Sequence, residues 1–264
     1  MREAREAGVT PDRLRSADLD APFHGVRTRG VDLTLVENRC RAYLTLMSSE
    51  AYFSHTTAAM LWGIPLLRGL PIVSPAAAWA DVAESLGVDD LVAAGEAAIT
   101  GNPIRDRPPI ASLEELAAIA QQRRGTAGAR ARAQALRLMK NGALSRPESL
   151  TRLLLVRAGV PHPLINPSIF DDRGAFVAMP DLAWPEYKVA LEYEGDHHRE
   201  VKRYRTDIAR VERLVDHGWL VVKVSADDLF DEPRALVERV VRRLVSRGWT
   251  PGRIHLAQIG HYQR

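Results

Sequence analysis

The chain has 264 residues, of which 46% are apolar and 26% are charged, as in ordinary globular proteins. This composition excludes disordered, collagenous and fibrous proteins, and at about 150 residues per domain the length predicts two modules. The net charge of +3, from 36 basic and 33 acidic residues, is too small to identify a nucleic-acid partner by itself.

A single cysteine, Cys40, excludes an internal disulfide framework and a cysteine-rich zinc site. It also fits a reducing compartment. The first ten residues alternate charges and lack the apolar core of a signal peptide, and no apolar run approaches the 18 or so residues of a membrane span. We therefore expect a cytoplasmic protein without a membrane segment.

The first part of the chain, residues 1–140, contains repeated start and stop signals of short helices. It therefore predicts a mostly helical domain. Ser54 is a candidate cap for a helix over 55–62, and Ser74 followed by Pro75 predicts the start of another helix. The apolar stripe of this second helix is expected at Trp79, Val82, Ala83 and Leu86.

A basic stretch near 121–146 follows, because no acidic residue occurs between Glu115 and Glu148. Its cations lie in a sequence rich in glycine and alanine, at Arg123, Arg124, Arg130, Arg132, Arg137, Lys140 and Arg146. One interpretation is an arm whose Arg130 and Arg132 contact nucleic-acid phosphates, which requires only clustered cations. The other is a solvated helical linker.

The second part, 145–248, has a different pattern, with strands between helices. Ser145 and Pro147 predict the start of a helix that ends at Gly159. Three antiparallel strands, a helix, a buried strand and a closing helix are predicted in turn over 168–170, 176–184, 187–194, 201–215, 219–224 and 233–245. The order α-β-β-β-α-β-α predicts the α/β (α+β) class.

The predicted strand 187–194 contains the charged residues that are candidates for a functional site. Alternation places Lys188, Ala190, Glu192 and Glu194 on one face. Two carboxylates on one short strand repel each other unless a cation lies between them. Asp181 comes across a short hairpin towards Glu192, and carboxylate oxygens at one end of a sheet predict a Mg²⁺ site.

Pro180-Asp181, a ten-residue gap and Glu192-Tyr193-Glu194 resemble the motif of the PD-(D/E)xK nuclease superfamily, and the element order resembles its restriction-endonuclease-like αβββαβ core. A longer string is similar to the very-short-patch-repair-like endonuclease domain of bacterial hypothetical proteins. The string comprises PDLAWPEYKVALEYEGDHH from Pro180 to His198, DIARVERL from Asp207 to Leu214, and GWLVVK from Gly218 to Lys223.

This resemblance implies metal-dependent hydrolysis of DNA phosphodiester bonds, with Mg²⁺ or Mn²⁺ held by Asp181 and Glu192. It also implies that Glu148 supports the metal directly or through water, and that His198 faces the same site. The lysine of the superfamily is replaced by Glu194. Lys188 on the same strand face, or Lys223 on the next strand, is then the candidate to supply the missing cation.

Two arginines of the predicted helix 201–215 are candidates for nucleic-acid contact, Arg203 and Arg210. Arg210 is also spaced for a helical ion pair with Asp207.

The segments FSHTTAAMLWGIPL, 53–66, and IVSPAAAWADV, 72–82, resemble the N-terminal part of proteins related to abortive-infection type IV antitoxins. This resemblance implies a DNA-binding role for the helical part; the alternative is that these segments are helices that only form its core. Two functions remain open for the whole chain: a Mg²⁺-dependent DNA endonuclease or nickase, and a catalytically silent, antitoxin-like DNA-binding regulator that keeps the nuclease fold as a scaffold.

Overall fold

The structure is a computed structural model that describes residues 8–48, 51–54, 57, 73–102, 106–194, 210–256, 259 and 262–263. It has helices and a mixed sheet, which confirms the mixed α/β class. The α-helices with defined bounds are α1 (Val36–Leu44), α2 (Pro75–Val82), α3 (Val88–Thr100), α4 (Leu113–Gln122), α5 (Ala129–Leu138), α6 (Arg146–Arg157), α7 (Ala226–Phe230) and α8 (Pro233–Val245). Among the described helices, none is both long enough and apolar enough to cross a membrane.

The chain divides into two compact units. One consists of Met1–Leu86 with Glu114–Ala129, and the other of Gly87–Leu113 with Arg130–Arg264. The sequence predicted a boundary near 140–145 instead. Helix α3, which we expected in the N-terminal domain, belongs to the same unit as the strands.

The helix starts follow their caps. Ser74 caps α2, its side chain accepting a hydrogen bond of 3.2 Å from the N–H of Ala77, and Trp79 is buried as predicted. Leu86 is exposed because α2 ends at Val82, four residues earlier. The predicted helix over 55–62 lies outside the described residues, apart from Thr57.

The main sheet contains four strands in the order β1-β4-β5-β6. β5 is antiparallel to β4 and parallel to β6, and β1 is antiparallel to β4. A separate antiparallel pair is formed by β2 and β3. The strands are β1 (Leu164–Ile165), β2 (Ile169–Phe170), β3 (Phe176–Ala178), β4 (Leu182–Trp184), β5 (Val189–Tyr193) and β6 (Leu220–Val224).

The prediction of three consecutive strands was wrong in two respects. The predicted strand 176–184 is two strands in different sheets, β3 and β4, interrupted at 179–181. Pro180 has no N–H to donate to a strand neighbour, which accounts for an interruption there. In addition, β1 was not predicted.

Strand β5 is buried on both faces, because its alternate side chains enter two different apolar clusters. Val189 and Leu191 pack with residues of α6 and α8, whereas Ala190 packs with Leu214 and Trp219 on the other face. Glu192 continues the face of Ala190 at the end of this buried strand. The fold thus places a carboxylate where few polar groups are found without a partner.

Candidate active site

Asp181 and Glu192 meet at the open end of the β4–β5 hairpin. The register pairs Leu182 with Leu191, so the next facing pair is Asp181 and Glu192. The Asp181 carboxylate accepts a hydrogen bond of 2.6 Å from the N–H of Tyr193. That N–H belongs to the peptide group that joins Glu192 to Tyr193. The backbone positions of the two acids of the motif therefore face each other across the hairpin.

Glu192 is 3% exposed and forms an ion pair with Arg210, with 2.5 Å between Oε2 and Nη2. Arg210 lies at the beginning of the described helical residues 210–216 that follow the strand in the chain. Burying a carboxylate is costly unless a cation offsets its charge. In this structure the cation on Glu192 is a guanidinium. The alternative partner of Arg210, Asp207, lies outside the described residues.

Glu194 pairs with the second cation near the motif, Lys223. The Lys223 ammonium donates a hydrogen bond of 2.7 Å to Glu194 Oε1, and the parallel register aligns Lys223 with Glu192. Both side chains are partly exposed. A lysine ammonium therefore lies next to the acidic motif, but it comes from β6 and not from the motif strand itself.

Lys188 does not lie on the strand face on which the sequence placed it. The turn Pro185–Tyr187 precedes it, and Lys188 adopts a left-handed conformation with φ 48° before β5 begins. Its ammonium donates to the carbonyl of His217 at 3.3 Å. It is thus at the end of β5 opposite to Glu192, about 13 Å away at 3.3 Å per residue, and cannot replace the missing lysine.

Glu148 is buried and acts as a cap at the start of α6. Its Oε1 accepts a hydrogen bond from the Ser145 hydroxyl at 2.8 Å, and its Oε2 accepts from the N–H of Leu144 at 2.9 Å. The Asn166 amide donates a third bond to Oε2, at 2.7 Å. These three bonds occupy most of the lone pairs of the carboxylate, so direct metal ligation by Glu148 is disfavoured.

Asn166 is a site residue that sequence reasoning missed. Its side chain bonds Glu148 and the carbonyl of Gly142, while its backbone N–H donates to the carbonyl of Asp181 at 2.9 Å. It has a left-handed conformation, φ 45°, which asparagine tolerates better than most residues. Asn166 therefore connects the start of α6 to the motif.

A second missed feature fastens α6 to α3. Glu96 is fully buried and lies 2.5 Å from Arg152, and it also accepts hydrogen bonds from Ser149 and from the N–H of Lys140. Burial raises the pKa of Glu96, against the lowering effect of Arg152. A lone acid within the Ala-rich segment VAAGEAAIT was the available sequence signal.

The predicted nucleic-acid contacts have different outcomes. Arg130 is exposed on α5. Arg132 is 1% exposed, so its proposed phosphate contact is incompatible with this structure. The helical repeat explains the burial, because Arg132 shares one side of α5 with the buried Ala135 and with Met139 just beyond its end. Two further candidates, His198 and Arg203, lie outside the described residues.

The acidic side chains of the motif are the candidate ligands for a divalent cation. Within the described part of the chain, no group of three or more His, Cys, Asp or Glu side chains is arranged to hold a metal. Asp181 and Glu192 nevertheless provide carboxylate oxygens, which Mg²⁺ and Mn²⁺ prefer. Glu192 already holds a cationic group in Arg210. Two carboxylates are too few to fill the coordination shell of such a cation, so an ion bound here would keep several of its waters.

Two proteins of Mycobacterium tuberculosis, from strains CDC 1551 and H37Rv, are similar to this chain. Named "Uncharacterized protein MT2308" and "Uncharacterized protein Rv2248", each is 33% identical to it over 128 residues. The match covers 48% of this chain and 46% of each relative, so the chain spans about half the length of the curated relatives that it matches. No model of a known protein family matches the chain, and no solved structure is significantly similar to it.

Proposed function

We propose that the chain is a Mg²⁺-dependent DNA endonuclease or nickase whose restriction-endonuclease-like core lies in 145–248. The observation that supports this proposal best is the bond from the N–H of Tyr193 to the Asp181 carboxylate, which keeps the two acids of the motif together. Mn²⁺ is an equivalent cofactor for such oxygen donors.

In this proposal Asp181 and Glu192 hold the cation. Bound Mg²⁺ would polarise the scissile phosphate and lower the pKa of the attacking water. Lys223 neutralises Glu194, and its remaining N–H donors would be offered to a phosphate oxygen. Glu148 acts at a distance, since its bond to Asn166 fixes the backbone that carries Asp181.

One observation favours the second function, a DNA-binding regulator without catalysis. Glu192 and Glu194 each have a protein cation, Arg210 and Lys223, so these two acids are paired without a metal. A scaffold that had lost catalysis would retain such pairs to stabilise its acids.

Supercoiled plasmid distinguishes the two functions. Purified protein is incubated with it in Mg²⁺, in Mn²⁺ and in chelator, beside Asp181→Asn and Glu192→Gln. Glu186→Gln is the matched control, because Glu186 is an exposed acid in the turn at the other end of the same hairpin. An endonuclease gives metal-dependent nicks with wild type and Glu186→Gln only. Binding without nicking in all four proteins supports the regulator and contradicts the endonuclease.

A further inference from the structure

Helix α8 presents a row of arginines to the edge of the sheet. β6 is the last strand in the order β1-β4-β5-β6. Arg239 donates to the carbonyl of Lys223 at 2.9 Å, and Arg247, just after α8, donates to the carbonyl of Gly218 at 2.8 Å. Since these contacts lie at the two ends of β6, this side of α8 runs along the whole strand.

Arg243 lies between the other two arginines on the same side of the helix. The three positions are separated by four residues each, which is nearly one helical turn. Arg243 and Arg247 are exposed, and within the described residues neither forms an ion pair with a carboxylate. We call Arg239, Arg243 and Arg247 the β6 row.

Among the described residues, the nearby acids neutralise only Arg239 of the β6 row. Asp228 pairs with Arg239 at 2.9 Å, and Glu238 lies 3.9 Å from Arg242, which is outside the row. A guanidinium has five N–H donors. A single bond from Arg247 to a backbone carbonyl therefore leaves most of its donors available to a ligand.

We propose that the β6 row binds the phosphate backbone of duplex DNA and leads it to the corner where Lys223 meets Glu194. This inference rests on the proposed function and names the surface that takes its substrate. The row is about 12 Å long at 1.5 Å per residue. This length corresponds to three or four phosphates of one strand at about 3.4 Å each along the duplex axis.

Charge complementarity selects DNA over a protein partner. Protein interfaces have an apolar or aromatic centre, whereas phosphate contacts need only clustered cations. On α8 the exposed large apolar residue is Val245, which is 44% exposed and two residues from Arg243, on the other side of the helix. The β6 row itself consists of three arginines.

The test is the salt dependence of duplex binding, measured by fluorescence anisotropy of a labelled 20-base-pair duplex in chelator. Each phosphate contact contributes about 0.9 to the slope of log K against log salt. Arg243→Gln should lower the slope by about 1, and Arg243→Gln with Arg247→Gln by about 2. Arg243→Lys should restore it. Arg234→Gln is the matched control, because Arg234 is exposed on α8 and lies half a rotation from Arg243; its slope should equal that of wild type.

The outcomes separate this inference from the function on which it rests. If wild type binds DNA and Arg243→Gln shows the same salt-dependence slope, the proposed role of the β6 row is wrong. The endonuclease proposal is not affected by that result. Equal losses in Arg243→Gln and Arg234→Gln show a net-charge effect and also overturn the row. Wild type that binds no DNA overturns both proposals. Thermal melting of each variant verifies that it is folded.

Discussion

The Asp181 carboxylate bonds the N–H of Tyr193 at 2.6 Å, directly after Glu192 in the chain. β4 begins only at Leu182, so the side chain of Asp181 takes the place of a backbone acceptor where strand pairing ends. The bond needs no metal and fixes the spacing of the two acids in advance. A site organised in this way loses less conformational entropy when a cation binds.

Replacing Asp181 separates its structural role from its chemical role. Asp181→Ala leaves the Tyr193 N–H without its acceptor and should lower the free energy of unfolding by about 1–3 kcal/mol. Asp181→Asn retains an acceptor oxygen and should cost less, although both variants should lose metal-dependent nicking. Urea unfolding measures the difference, and equal losses in the two variants would argue against the bond.

Arg210 should stabilise the fold through Glu192. Removing one partner of a buried ion pair costs about 3–5 kcal/mol, and we expect about 2–3 for Arg210→Gln because its side chain is 34% exposed. The double variant Arg210→Gln with Glu192→Gln should recover part of this loss, since no buried charge remains. Urea unfolding of wild type, both single variants and the double variant checks this cycle; a double variant less stable than Arg210→Gln would contradict it.

The side-chain amide of Asn166 should contribute more to the free energy of unfolding than its backbone conformation does. Asn166→Asp places a carboxylate where an amide now donates to Glu148 at 2.7 Å. The expected loss of stability is about 2–3 kcal/mol at neutral pH, from the lost bond and the like charges. Asn166→Gly tolerates the positive φ and should cost about 1–2. Chemical unfolding at pH 7 gives both values, and the idea fails if the aspartate variant is the more stable.

Asp228 gives a pH-dependent prediction. Burial acts to raise the pKa of its carboxyl, but hydrogen bonds from Arg239 and Ser225 outweigh burial and lower the pKa below its ordinary value. The stabilisation is therefore present above the unfolded pKa of about 4 and is lost as the pH falls through the lower folded value. Asp228→Asn should be less stable than wild type at pH 6, with the difference shrinking towards pH 2. A difference that is constant over this range contradicts the prediction.

Local sequence signals correctly predicted the elements whose bounds depend on residues close together in the chain. Ser145 and Pro147 predicted the start of α6, where the Ser145 hydroxyl now accepts a bond from the N–H of Glu148. The closing helix was predicted with its observed bounds, Pro233–Val245. Pro185 and Glu186 predicted the hairpin turn that brings β4 against β5. In each case the residues that determine the structure are neighbours in the chain.

The remaining parts of the site depend on contacts that are distant in the chain. Asn166 lies 18 residues from Glu148, and Arg210 lies 18 residues from Glu192. No local pattern pairs such residues. The placement of Lys188 failed for a local reason, because the turn after Trp184 extends to Lys188 and removes it from the strand.

Cation binding in the absence of DNA tests the central claim most directly. Titration of the protein with Mn²⁺ in a calorimeter should give about one ion per chain for wild type and for the control Glu186→Gln. Binding should be lost in Asp181→Asn and in Glu192→Gln, because each removes a charged oxygen ligand. Equal binding in all four proteins, or none in wild type, would contradict a metal site shared by residues 181 and 192.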